Sequence, residues 1–227
     1  MAIDPNKFSP NGEVLPYYGN TIIAPYYAPD AGAEGQAVLG LAHKIQGLFR
    51  QSPLAPKLAF LPANSFHTTL YSLIRVIDRG GPRWPQWLDP NYSCFSEVDR
   101  AVRDRIRDIP VPERVKMRCY CVLPHKLLLQ ATSPQDETRL RRYRDQLAQR
   151  MEIQEHGHQD YVFHISLAYH LADFSPEEEA IAQELGAQAL AVCQREMPVF
   201  CLPRPRFVLF NDMYAYHENL NARGTLY

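Results

Sequence analysis

Hydrophobic residues along this chain switch between helical and alternating periods, and the switches outline its elements. Val38, Leu41, Ala42, Ile45, Leu48 and Phe49 recur at three- and four-residue steps, which predicts a helix over roughly residues 34–50. Val98, Ala101, Val102, Ile106 and Ile109 predict a second over 94–109, ended by Pro110. Two more helices declare their starts. Ser133-Pro134-Gln135-Asp136-Glu137 and Ser175-Pro176-Glu177-Glu178-Glu179 each offer an N-cap serine, a proline at the first helical position and acids in the first turn. Ser175 with Glu178 also fits a capping box. Strands are expected at 20–27, 66–77, 115–123, 126–132, 161–171, 198–202 and 206–214, with a short extended run at 57–61. Residues 1–19 show no period and read as an arm lying on the surface, and residues 78–93, with Trp84 and Trp87, read as an ordered loop.

Strand, helix and then a strand opening with Phe-His occur twice along this order. The helices begin near 34 and 134 and the histidines stand at 67 and 164. This architectural repeat predicts an α+β fold of two pseudo-symmetric lobes, each an antiparallel sheet with outer helices, around a central cleft. The domain reading is an N-terminal arm over 1–19 and a single two-lobed domain over 20–227.

Composition adds limits. The chain has 227 residues, 46% hydrophobic and 22% charged, enough apolar material for a sizeable core. A formal net charge of −1 supplies no long-range pull on a polyanion, which favours small or terminal phosphate esters over long nucleic acid as substrates. Five cysteines (Cys94, Cys119, Cys121, Cys193 and Cys201) without a CxxC pair read as reduced thiols. The first residues lack a basic segment followed by an apolar one, and no apolar run approaches the ~18 residues of a membrane span. A soluble cytoplasmic protein with no membrane or inferable protein partner is the expectation.

The chemistry sits at the repeated strand. Residues 66–70 read Phe-His-Thr-Thr-Leu and residues 163–167 read Phe-His-Ile-Ser-Leu. Alternation puts His67 with Thr69, and His164 with Ser166, on one face of each strand, and turns the flanking Phe and Leu to the other. A phosphodiester reaction needs a proton taken from the attacking oxygen and one given to the leaving oxygen. Two imidazoles that titrate near neutrality supply both. The hydroxyls of Thr69 and Ser166 supply donors to the non-bridging oxygens. Every role is filled without a metal or other cofactor. Which histidine is the base is open on these residues, with His164 the choice made. Tyr71, on His67's face by simple alternation, is a candidate substrate contact; Tyr169, by the same rule, faces away from His164.

These motifs, with Pro62 upstream of the first, resemble those of the two-histidine (2H) phosphoesterase superfamily, which includes 2′,3′-cyclic nucleotide phosphodiesterases and RNA 2′-5′ ligase-like proteins. The resemblance implies one motif from each lobe facing a shared cleft and action on a cyclic phosphate or an RNA-terminal phosphodiester. Ser166 departs from the commoner threonine but keeps the hydroxyl.

Other readings compete. The same cleft could serve a non-catalytic module that holds a phosphorylated nucleotide. His156, His158 and Asp160 offer metal-ligand types, though no further ligand is fixed by spacing. Arg139, Arg141, Arg142, Arg144 and Arg150 read as the solvated face of a helix whose apolar stripe is Leu140, Tyr143, Leu147 and Met151. Tyr17, Tyr18, Tyr26, Tyr27, Trp84, Trp87, Tyr214 and Tyr216 could stack on bases, with two or three at most expected in the cleft.

Overall fold

The computed structural model describes residues 4–155 and 157–223. Ten strands, β1 (Gly19–Pro25), β2 (Leu58–Phe60), β3 (His67–Arg75), β4 (Lys116–Leu123), β5 (Lys126–Ala131), β6 (Phe163–Ser166), β7 (Ala168–His170), β8 (Phe200–Cys201), β9 (Arg206–Phe210) and β10 (Tyr216–His217), are interleaved with four helices. The helices are α1 (Gly32–Arg50), α2 (Phe95–Ile106), α3 (Pro134–Met151) and α4 (Pro176–Glu196). Their starts follow from the predicted caps. Ser133 Oγ accepts from the Asp136 amide at 3.1 Å, and Ser175 forms the reciprocal capping box with Glu178.

Eight strands form one sheet in the order β10-β9-β1-β3-β6-β5-β4-β8, while β2 and β7 pair separately. All the strand pairs are antiparallel. The fold is α+β with helices outside the sheet. Where the sequence repeat predicts a sheet for each lobe, the described strands join edge to edge, because β3 and β6 pair through Thr68 and Ile165. The two histidine strands are therefore neighbours at the centre of one sheet.

Helix α4 lies close on β4. A Cβ added to Gly186 would stand 2.5 Å from the Val122 carbonyl oxygen, so only glycine fits that approach. From α1, the buried Gln46 donates to the carbonyls of Leu61 and Leu167 at 2.7 and 2.8 Å. One side chain thus satisfies two backbone groups, one just past β2 and one at the end of β6.

The arm differs from expectation. Phe8 and Tyr17 are buried members of the core rather than surface groups, because their rings meet an aromatic layer of the body. Phe8 lies 5.0 Å from Tyr169 and 5.9 Å from Tyr214, and Tyr17 stacks on Phe210 at 6.0 Å. No helix among the described residues is long and apolar enough to cross a membrane.

Candidate functional site

Strand alternation divides the motif residues. Phe66, Thr68, Leu70, Phe163, Ile165 and Leu167 are buried, with Thr68 Oγ1 hydrogen-bonded to the Tyr26 hydroxyl at 2.9 Å. His67, Thr69, His164 and Ser166 line one cavity of about 260 Å³. The register explains the convergence. With Thr68 paired to Ile165, one residue either way sets His67 across from Ser166 and Thr69 across from His164. The histidines are then diagonal neighbours across a strand pair, at roughly 7–8 Å by general sheet geometry, a span that admits one phosphate between the rings.

Each imidazole is oriented by the same local device. His67 Nδ1 lies 2.6 Å from the Ser65 carbonyl oxygen, and His164 Nδ1 lies 2.8 Å from that of Val162. A carbonyl can only accept, so the neutral rings carry the proton on Nδ1 and leave Nε2 as the acceptor. At His67 the Thr69 hydroxyl donates to Nε2 at 3.2 Å, and Tyr216 meets the ring edge-on at 4.4 Å between centroids. His164 Nε2 takes no protein hydrogen bond among the described residues.

Surroundings hold both rings neutral. Burial, opposed by the Ser65 hydrogen bond and helped by charge on His164, pushes His67 down to about 4. Burial also lowers His164, against the Val162 hydrogen bond, with Lys126 and Lys7 acting in the same direction. At pH 7 the two imidazoles are therefore both acceptors at Nε2. An anion bound between the rings favours their charged forms and supplies the missing proton affinity.

Tyr71 does not line the cavity. Its ring is fully buried, and its hydroxyl donates to the Ile153 carbonyl. The reason is a bulge. The register steps from Ile23↔Thr69 to Ile22↔Tyr71, so Leu70 is an extra residue and the strand's facing is re-phased beyond it. Ser72 and Arg75 then line the cavity in place of Tyr71. A second irregularity has the opposite consequence for Tyr169. The predicted strand 161–171 breaks at Leu167, whose amide turns to the His125 carbonyl at 2.8 Å, and β7 leaves to pair with β2. Tyr169 faces the cavity as a result.

The remaining wall is aromatic on one side and charged at one end. Tyr17, Tyr161, Tyr169, Phe210 and Tyr216 line it; of these, Tyr17 and Tyr216 were among the sequence candidates. Trp84 and Trp87 belong elsewhere, their indoles donating to the carbonyls of Leu88 and Met151. Arg75 is held two-pronged by Asp78 at 2.8 and 2.7 Å, and Arg83 links Asp78 to Glu155. Arg144 corrects the reading of the arginine run. It is fully buried, donates to the carbonyl of the bulged Leu70, and sits 3.8 Å from the Tyr161 ring centroid. Arg144 thus caps the bulged carbonyl through Nη1, while its Nε and Nη2 are buried without a hydrogen-bond partner, Nη2 lying 3.9 Å from Glu155. Arg139, Arg141 and Arg150 instead pair with Asp136, Glu137 and Asp108.

Of the metal-ligand alternative, His156 lies outside the described residues. His158 is buried with Nε2 at 2.8 Å from Asp145, and among the described residues no group of three or more His, Cys, Asp or Glu is placed to hold a metal ion.

Comparison with a family model covers the part of the chain that carries His67 and Thr69. The family described as 2H-phosphodiest, Domain of unknown function (DUF1868), matches residues 7–128. In fold, the chain is similar to the crystal structure of ATU0111, a conserved protein of unknown function from Agrobacterium tumefaciens str. C58. The TM-score is 0.85 at 26% identity, covering 96% of this chain and 93% of that one. Curated proteins give no significant match.

Proposed function

The chain belongs to the 2H-phosphodiesterase family carrying that description, and on that footing we propose that it is a metal-independent phosphodiesterase of small nucleotide esters. Its substrate in this reading is a 2′,3′-cyclic phosphate or a related RNA-terminal phosphodiester. The observation that carries the proposal is the shared cavity of His67, Thr69, His164 and Ser166, with both imidazoles anchored through Nδ1.

In hydrolysis of a cyclic phosphate, His67 Nε2 takes a proton from water as the water oxygen bonds to phosphorus. The ring P–O bond breaks, and the leaving oxygen takes the Nε2 proton of a protonated His164. His67 is assigned the base because its Nε2 is already an acceptor, toward Thr69. This reverses the choice of His164 made on the motif alone. As substrate binds, the Thr69 hydroxyl turns from His67 Nε2 to a non-bridging oxygen, which frees Nε2 for the water, and the Ser166 hydroxyl donates to another. The aromatic wall suits a stacked base, and the small cavity suits a mononucleotide or a chain end better than a duplex. The two motifs, meeting at the β3–β6 seam, are the pseudo-symmetric halves of the site in this account.

Hydrolysis of 2′,3′-cyclic nucleotides by wild type, His67→Ala and His164→Ala, after exhaustive chelation, tests the proposal. Wild-type turnover that survives chelation and falls in both variants supports it. Tight nucleotide binding without turnover by wild type assigns the cleft to a binding module instead.

A further inference from the structure

The arm packed over the site brings a charge into it. Asp4 through Tyr18 form a small folded unit. The Leu15 amide donates to the Lys7 carbonyl at 2.9 Å, Phe8 bridges to Val14, and the Tyr17 amide donates to the Asn211 carbonyl at 2.8 Å. Phe8, with only 3% of its surface exposed, seats the unit on the body. This seating sets Lys7 Nζ 5.1 Å from the Tyr169 ring centroid and 5.5 Å from that of Tyr17, on the wall of the cavity that holds both histidines.

Among the described residues the cavity otherwise lacks an available cation. Its histidines are held toward the neutral form, and Thr69 and Ser166 are neutral donors. Of the two lysine or arginine side chains lining it among the described residues, Arg75 is committed to Asp78 through two hydrogen bonds. Lys7 gives contacts to Asp4 at 2.9 Å and to the Tyr169 hydroxyl, and an ammonium has three N–H groups to give, so one is left for an anion. Burial works to discharge Lys7, but Tyr169 and Asp4 outweigh it and keep the ammonium charged. Its charge is felt at His164, where it favours the neutral imidazole.

We propose that Lys7 is a phosphate ligand of this site, delivered by the folded N-terminal arm between the faces of Tyr17 and Tyr169. The assignment deepens the phosphodiesterase reading and rests on it for the identity of the anion. In the reaction, the ammonium faces a non-bridging oxygen and offsets the charge that gathers there as water attacks. Asp4 holds the lysine in place without contacting the substrate. The arm is thus part of the active site in this account.

Inorganic phosphate binding, measured by calorimetry on the full chain, tests this beside kcat/KM on a 2′,3′-cyclic nucleotide. Lys7→Met is expected to weaken phosphate binding and lower kcat/KM by about 10- to 100-fold, the range for losing a charge-assisted hydrogen bond. Lys7→Arg should recover most of both, which a purely structural stem would not require. Lys7→Gln, which keeps the stem and a neutral donor, covers the case in which the methionine variant does not fold. Phosphate binding within twofold of wild type in a folded, uncharged variant overturns the assignment. The two proposals fail separately. Wild-type turnover with Lys7→Met unaffected sinks the lysine's role and leaves the histidine reading intact. Lys7-dependent phosphate binding without turnover keeps the ligand and sinks the enzyme. Absence of both binding and turnover in wild type sinks both.

Discussion

The two histidine motifs share a local design and differ in their surroundings. In each, the ring's Nδ1 donates to the carbonyl two residues upstream, and a hydroxyl residue follows two positions on. Around His67 the site is closed: Thr69 occupies Nε2, Tyr216 covers an edge, and β3 runs on for nine residues. Around His164 it is open: Nε2 is unclaimed among the described residues, and β6 ends after four residues, at Ser166. A repeat can therefore supply two like groups in unlike surroundings, which the proposed acid/base pair requires.

Removing the groups compared is the largest perturbation. His67→Ala and His164→Ala should each lower kcat on a cyclic nucleotide by about 10²–10⁴. The double variant should lose far less than the product of the two, since the rings act on one proton inventory. A double loss equal to the product would mean that they work independently.

Next is the support beneath the bulge that gives the His67 strand its shape. Arg144→Ala leaves the Leu70 carbonyl without this donor and removes the guanidinium from under Tyr161. A cost of about 3–5 kcal/mol in urea unfolding is expected, typical of breaking a buried charged contact. A cost below about 1 kcal/mol would show that the bulge holds without it.

Gln46 joins the two regions being compared, and its effect should be smaller. Gln46→Ala removes this donor from the Leu61 carbonyl and leaves the Leu167 carbonyl with the Leu61 amide at 2.9 Å, which should cost about 1–3 kcal/mol, and it should lower activity through both motifs. Stability lost without any change in kcat would detach the clamp from the site.

The smallest effect sharpens the comparison most. Histidine titration followed by NMR should show His67 near 4 and His164 also below the ordinary 6.5, with phosphate raising both. The sign for stability follows. The unfolded chain binds more protons between its ordinary histidine value and the depressed folded one. Stability is therefore full above about pH 6.5 and falls as pH drops toward 4, with His125, lowered by burial to about 3, contributing in the same direction. Phosphate that leaves both titrations unmoved would place the anion elsewhere.

How much of this was legible depends on where periodicity holds. Helix starts at Pro134 and Pro176 and the strands bearing His67 and His164 follow from local chemistry. So does the facing of the motif residues, because between 66 and 69 and between 163 and 166 the alternation is unbroken. Beyond those points it fails. One extra residue at Leu70 turns Tyr71 inward, and the break at Leu167 turns Tyr169 to the cavity. Neither irregularity has a signature in the side chains around it. The joining of strands into one sheet depends on long-range pairing, which no local pattern encodes. Lys7 sits in a segment without a period, so its seat could not be read. Arg144 was readable: with Leu140, Leu147 and Met151 it keeps steps of four, three and four, the spacing of a buried stripe.

The most direct test of the two-histidine account is the pH dependence of kcat/KM for a 2′,3′-cyclic nucleotide, measured in excess chelator. The account predicts a bell. His67→Ala should abolish the acidic limb of the residual activity and His164→Ala the basic limb, because the first removes the base and the second the acid. A profile with the same two limbs in both variants, or activity lost in chelator and restored by added metal, would contradict it.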